Sequence, residues 1–214
     1  MGTKDRKERE REARRGAILE AARPIFFQNG FQATTMDQIA GEAELSKGTL
    51  YLYFPSKDDL YATILLEGLE RLHGMMIEAC DENKDWETQL RDLGAAYYRF
   101  YLDHRPYFRI LFLLQHGDLA SRISESLYEK CFDEGLACLQ ILARVIQKGM
   151  ESGEIEPRNP MELGVLSWGF LNGTFSLFEE EEHKRLIPIS LDSLVRLSFD
   201  LITNGLRRRA SWLA

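Results

Sequence analysis

Three helix starts fall inside residues 35–56. In the stretch TTMDQIAGEAELSKGTLYLYFPSKDDL, Thr35 precedes a run with Met36, Ile39, Ala40 and Ala43 at helical spacing. Gln38, three residues after Thr35, completes a capping box. Ser46 can cap a second run of about two turns, and Pro55 ends it. Ser56 caps a third, with Asp58 and Asp59 in the first turn, where the helix dipole favours acids. Only the residues ELS separate the first two runs. Two short helices joined by a tight turn, after a longer first helix, form a helix-turn-helix unit.

The longer helix lies upstream. AILEAARPIFFQNGF repeats Ile18, Ala21, Ala22, Ile25 and Phe26 at helical spacing, with Pro24 expected to bend it. Asn29-Gly30 reads as its stop. Before it, residues 4–15 hold seven Lys/Arg and four Asp/Glu. That run reads either as a solvated helix start or as an arm that meets phosphate. Beyond residue 60 apolar residues recur at helical spacing in long segments. The expected helices are 56–80, 85–104, 106–116, 119–152 (either continuous or broken), 160–182 and 190–210. Asn159-Pro160 fits a cap followed by proline in the first turn, and Pro106 fits the same position after Arg105. Strand-like alternation is rare. The chain therefore reads as all-α, with about nine helices: an N-terminal three-helix helix-turn-helix domain over residues 1–58, and a larger helical bundle over 59–214.

The formal charge of −7 is uneven. Residues 1–60 hold ten Lys/Arg and ten Asp/Glu, leaving 17 basic and 24 acidic residues for the remainder. The relatively positive end would orient the chain on a polyanion. Cys80, Cys131 and Cys138 form no CxxC pair and read as buried free thiols, which fits a cytoplasmic location. No signal-peptide pattern and no run of ~18 apolar residues is present, so no membrane association is expected. The sequence holds no GxSxG, P-loop or HExxH motif and no Cys/His cluster with metal spacing. Its four histidines are scattered. Neither an enzyme nor a metal or other cofactor is expected.

On a helix over 47–54, Leu50 and Phe54 share the inward face, with Gly48 nearly opposite. A helix that reads the major groove must approach base edges closely, and Gly48 removes the side chain there. Ser46 and Lys47 sit at the positive helix end, where amides and an ammonium meet phosphate or guanine. Tyr51 offers a ring to thymine methyls and a hydroxyl. The residue types alone leave another reading open, with surface lysines and half-buried packing tyrosines.

AARPIFFQNGFQATTMDQIAGEAELSKGTLYLYFPSKDDLYATIL resembles the DNA-binding domain of TetR/AcrR-family bacterial transcriptional regulators over about residues 17–65. The resemblance implies base or groove contacts from Lys47, Gly48, Thr49 and Tyr51. It implies phosphate contacts from Thr34, Thr35, Ser46, Tyr53 and Lys57. Leu52 stands where the family often has a second tyrosine, and Tyr53 where histidine is frequent. The resemblance further implies a homodimer that binds double-stranded operator DNA and a small ligand. The leading expectation is a repressor released from a palindromic operator by a small hydrophobic effector. The alternative is an activator or a binding module that does not act at promoters.

Residues 66–214 carry no comparable motif. Their aromatic helices suggest a core, or a cavity lined by Tyr97, Phe100, Tyr101, Phe108, Phe112 and Trp168, with His104, His116, Asn172 and Arg105 as polar anchors. Residues 163–178 are apolar on more than one face, and 191–206 carry a leucine-rich stripe. The expected dimer contacts there are Leu166, Phe170, Leu194, Leu197 and Leu201. The acidic run Glu179–Glu182 reads as a solvated helix end.

Overall fold

The computed structural model describes residues 3–113, 119–186 and 188–207. Among them the regular structure is helical, apart from one isolated bridge between Ile155 and Arg207. The helices are α1 (Thr3–Ala33), α2 (Met36–Glu42), α3 (Lys47–Tyr51), α4 (Lys57–Ala79), α5 (Trp86–Asp103) and α6 (Arg105–Phe108). They continue with α7 (Leu119–Arg122), α8 (Glu125–Glu151), α9 (Pro160–Leu177), α10 (Glu181–Leu186) and α11 (Leu191–Leu206). The described residues form two compact units, one falling within 1–68 and 119–132, the other within 69–113 and 133–207.

In the first unit α1 stays helical through Pro24 and breaks at Gly30, whose φ of 73° and ψ of 175° suit only glycine. Ile18, Ala22 and Phe26 of α1 are buried with Ile39 of α2, Leu50 of α3, Phe54, and Leu60 and Ile64 of α4. Arg15 clasps this core from its edge. Its guanidinium lies 4.2 Å from the Phe54 ring centroid and donates to the Tyr53 carbonyl at 3.1 Å. The turn between α2 and α3 places Glu44 at φ 53°, a left-handed conformation unfavourable for a side-chain-bearing residue. Residues 119–132 join this unit by polar contacts. The Ser124 amide donates to Asp59 at 3.1 Å, and Arg122 lies 3.4 Å from Asp58.

The second unit is built around Trp86, Leu93, Phe100, Phe108, Ile146 and Phe175, all nearly inaccessible. Tyr101 stacks on Phe175 at 4.7 Å between centroids, and Phe108 meets Tyr101 edge-on at 4.9 Å. Two glycines permit close approach. A Cβ on Gly149 would lie 2.6 Å from Ile155, and one on Gly94 would lie 2.3 Å from the Phe199 ring.

The expected helix over 106–116 differs from what forms. Pro106 does occupy the first turn of α6, but α6 is a single turn that passes into a π-helical turn over Arg109–Leu113. The helix expected over 160–182 ends at Leu177 instead. Beyond that end Glu179, expected in a solvated helix end, is buried. Arg105 reaches its carboxylate at 2.8 Å and Arg109 at 3.2 Å, while Arg105 also donates to the Phe178 carbonyl. Cys138 is buried, whereas Cys80 and Cys131 are half-buried.

Candidate nucleic-acid interface

Local capping builds the reading surface. The Thr35 hydroxyl accepts from the Gln38 amide at 3.2 Å, and Gln38 returns a carbonyl to the Thr35 amide at 2.9 Å. This fixes where α2 begins. Ser46 caps α3 by accepting from the Thr49 amide at 3.1 Å, and its hydroxyl pairs with that of Thr49 at 2.8 Å. Burial of Leu50 and Phe54 then orients α3, so the opposite face is presented outward. Lys47 and Gly48 are exposed there, Tyr51 is 42% exposed and Leu52 76%.

Gly48 has no internal reason to be glycine. A Cβ placed on it would meet only the Ser46 hydroxyl, at 3.9 Å, and its φ is not in the left-handed region. Glycine inside a helix costs about 0.5–1 kcal/mol relative to alanine. The missing side chain leaves the outward face of α3 low at this point.

Lys47 is held in place. Its ammonium donates to Asp37 on α2 at 2.8 Å, and this hydrogen bond keeps its pKa above the ordinary lysine value. Asp37 was not singled out by the sequence reading, because the pair bridges two helices through a turn.

Thr35, Ser46, Lys47, Gly48, Thr49 and Tyr51 belong to the α2 start or to α3 and its cap. Tyr53 follows, half-buried, with its carbonyl taken by Arg15. Two residues that the resemblance implies as phosphate contacts are engaged inside the domain instead. Thr34 is completely buried, and its hydroxyl donates to the Gly30 carbonyl at 2.7 Å. The Lys57 ammonium donates to the carbonyls of Phe31 at 2.7 Å and Thr34 at 2.8 Å, and it lies 4.2 Å over the Phe31 ring. Both side chains close the end of α1.

Residues 18–64 match the model of the bacterial regulatory proteins, tetR family. An uncharacterized HTH-type transcriptional regulator of Bacillus subtilis, YfiR, is 29% identical over 173 residues, covering 79% of this chain and 78% of the relative. The N-terminal domain therefore matches the DNA-binding domain of the tetR family. The TetR-family regulator PfmR of Thermus thermophilus superposes with a TM-score of 0.69 at 26% identity, covering 89% of this chain and 99% of that one. FadR of Bacillus subtilis, solved in complex with stearoyl-CoA, shares the fold with a TM-score of 0.70 at 21% identity, over 88% of this chain and 97% of that one. These relatives are transcriptional regulators, and residues 18–64 carry the helix-turn-helix domain that this chain shares with them.

The second unit contains a cavity of about 50 Å³. Met76, Leu90, Leu93, Gly94, Leu142, Leu171, Phe199 and Ile202 form its apolar wall, with Arg91, Ser167 and Thr203 at its margins. Of the residues expected to line a pocket, Tyr97 and Trp168 do so. Asn172 accepts the Tyr97 hydroxyl, whose pKa is raised by burial. Phe100, Tyr101 and Phe108 belong to the packed aromatic core and do not line the cavity. His104 caps the end of α5 beside Phe100, and Arg105 is committed to Glu179. The Phe112 side chain and His116 lie outside the described residues. The sequence reading assigned the α11 apolar residues wholly to a dimer contact, and so missed Phe199 and Ile202 as cavity wall.

Leu166 and Phe170 of α9 are 68% and 45% exposed, and Leu197 and Leu201 of α11 are similarly open, while Leu194 is half-buried. The two helices pack on one another, with the Thr174 and Ser198 hydroxyls 3.3 Å apart. Among the described residues no helix is long and apolar enough to cross a membrane, and no cluster of His, Cys, Asp and Glu is arranged to hold a metal.

Proposed function

We propose that this chain is a homodimeric cytoplasmic repressor that binds a palindromic DNA operator and is released by a small apolar ligand. The observation that carries the DNA reading is Gly48, a glycine on the outward face of α3 with no packing or backbone reason to be one. Around it, Lys47 and Tyr51 supply an ammonium and an amphipathic ring toward base edges, with Thr49 beside them. Thr35, Ser46 and Tyr53 supply hydroxyls toward phosphate. Two such helices, one turn of B-DNA apart at about 34–36 Å, would read the two half-sites.

The exposed apolar surface of α9 and α11 supports a dimer made through those helices. Leaving Leu166, Phe170, Leu197 and Leu201 together in water is unfavourable, and a second copy would cover them.

The cavity supports the ligand reading in a specific way. Its ~50 Å³ is far below the roughly 300–1,000 Å³ of typical ligand sites. An effector must therefore prefer a conformation in which the cavity is larger, and only that preference can shift the protein away from its DNA-binding form. Phe199, lying against Gly94, is one wall side chain whose displacement would enlarge the cavity. α4 contributes Met76 to the cavity wall. The fatty acyl group in the FadR complex identifies long apolar chains as the class to screen first.

The test is Gly48→Ala. Alanine should leave unfolding unchanged or raise stability by about 0.5–1 kcal/mol, while operator affinity falls at least tenfold. Tyr51→Ala and Lys47→Ala should lose specific binding with the dimer intact. Wild-type operator affinity in all three variants would overturn the assignment of this face.

A further inference from the structure

The α1 helix begins well before its core. Its first buried residue is Ile18, yet the helix extends back to Thr3. Residues 6–14 are exposed throughout. A segment this polar has no packing reason to be held out as helix, and its charges are sorted by face.

At about 100° per residue, Lys7, Arg11 and Arg14 fall within an arc of roughly 60°. None of the three has a hydrogen-bond or ion-pair partner among the described residues. Glu10, the nearest acid on one flank, is already paired with Arg6 at 2.8 Å. Lys7 and Arg11, four apart, repel one another, which weakens an isolated helix. A polyanion laid along this face would relieve that repulsion.

The stripe also has a direction. Continued down the helix it leads to Arg15, Ile18 and Ala22, the residues by which α1 meets the rest of its domain. Arg15 touches Tyr53 and Phe54, immediately after α3. The basic face therefore leaves the domain on the side where α3 ends.

We propose that the start of α1 is a phosphate-binding arm, with Lys7, Arg11 and Arg14 contacting the DNA backbone outside the bases read by α3. This rests on the operator-binding reading above. Eleven residues separate Lys7 from Ile18, a helical length of about 16 Å. At 3.4 Å per base pair that reach covers about five base pairs of flanking duplex. The contacts carry no sequence information. They lengthen the footprint and steepen the salt dependence.

The experiment uses the full chain. Wild-type protein selects its operator from random duplex DNA, and fluorescence anisotropy then measures affinity between 50 and 200 mM salt. The duplexes carry either no flank or eight flanking base pairs on each side. On the long duplex K7A/R11A/R14A should reduce the slope of log K against log salt by about 2.7 per protomer. On the short duplex it should match wild type. R6A/R9A, on the other faces, should keep the wild-type slope on both.

Wild-type binding that ignores flank length overturns the arm without recourse to any variant. So does an equal loss in R6A/R9A, which would mean bulk charge rather than a directed face. A selection that enriches no sequence overturns the operator reading itself, and is recognised before any variant is made.

Discussion

Lys57 distinguishes two roles that a sequence motif confounds. A lysine there can hold DNA phosphate or hold the fold together. In the structure its ammonium caps the end of α1 through the Phe31 and Thr34 carbonyls at 2.7 and 2.8 Å, over the Phe31 ring. Lys57→Met keeps the apolar stem and removes the charge. Hydrogen bonds from a charged donor contribute about 1.5–3 kcal/mol each in burial, and the ring contact about 0.5–1 kcal/mol at an accessible site. Lys57 is only half-buried, so water recovers part of this, and a net loss of about 2–3 kcal/mol is expected. For a chain of this size that lowers Tm by about 4–12 °C. The companion assay is operator binding across a salt series, well below the melting range. The slope of log K against log salt should stay at the wild-type value, because no phosphate contact has been removed. A variant that melts within about 1 °C of wild type while its slope falls by about 0.9 would show a phosphate contact and refute the internal role.

Two further outcomes follow from packing and burial. Gly94→Ala forces the Phe199 ring aside from a Cβ that would lie 2.3 Å away, so it should cost about 1–3 kcal/mol in thermal unfolding and displace the cavity wall. An unchanged Tm with unchanged effector response would remove Phe199 from the ligand argument. Burial raises the Cys138 thiol to about 12, so it should resist maleimide at pH 8 while the half-buried Cys80 and Cys131 react faster; mass mapping after partial labelling decides this.

Local signals carried the helix-turn-helix far. Thr35 with Gln38, Ser46, and Asn159 with Pro160 each mark a helix start through atoms within a few residues, so they are visible in any linear reading. The inward face of α3 was equally visible, because Leu50 and Phe54 are one turn apart. What escaped depends on distant partners. Glu179 reads as solvated until Arg105 and Arg109 close over it. Gly94 reads as one more small residue until Phe199 lies on it. Thr34 and Lys57 carry hydroxyl and ammonium groups suited to phosphate, and nothing local reveals that carbonyls at the end of α1 already occupy them. Residues 119–132 join the first unit through Ser124, Arg122 and Cys131, polar contacts that leave no hydrophobic period to read.

The two sides of α3 have separate obligations. Leu50 and Phe54 answer to the interior, while Gly48, Tyr51 and Leu52 face outward and Lys47 is tied to the fold through Asp37. Few folding contacts would be disturbed by rewriting the outer set. Under the proposed operator reading, target preference would be free to drift one substitution at a time, each variant remaining a folded protein. A library randomised at positions 47, 48, 51 and 52 should yield mostly folded members with divergent targets, whereas one randomised at 50 and 54 should yield mostly unfolded ones.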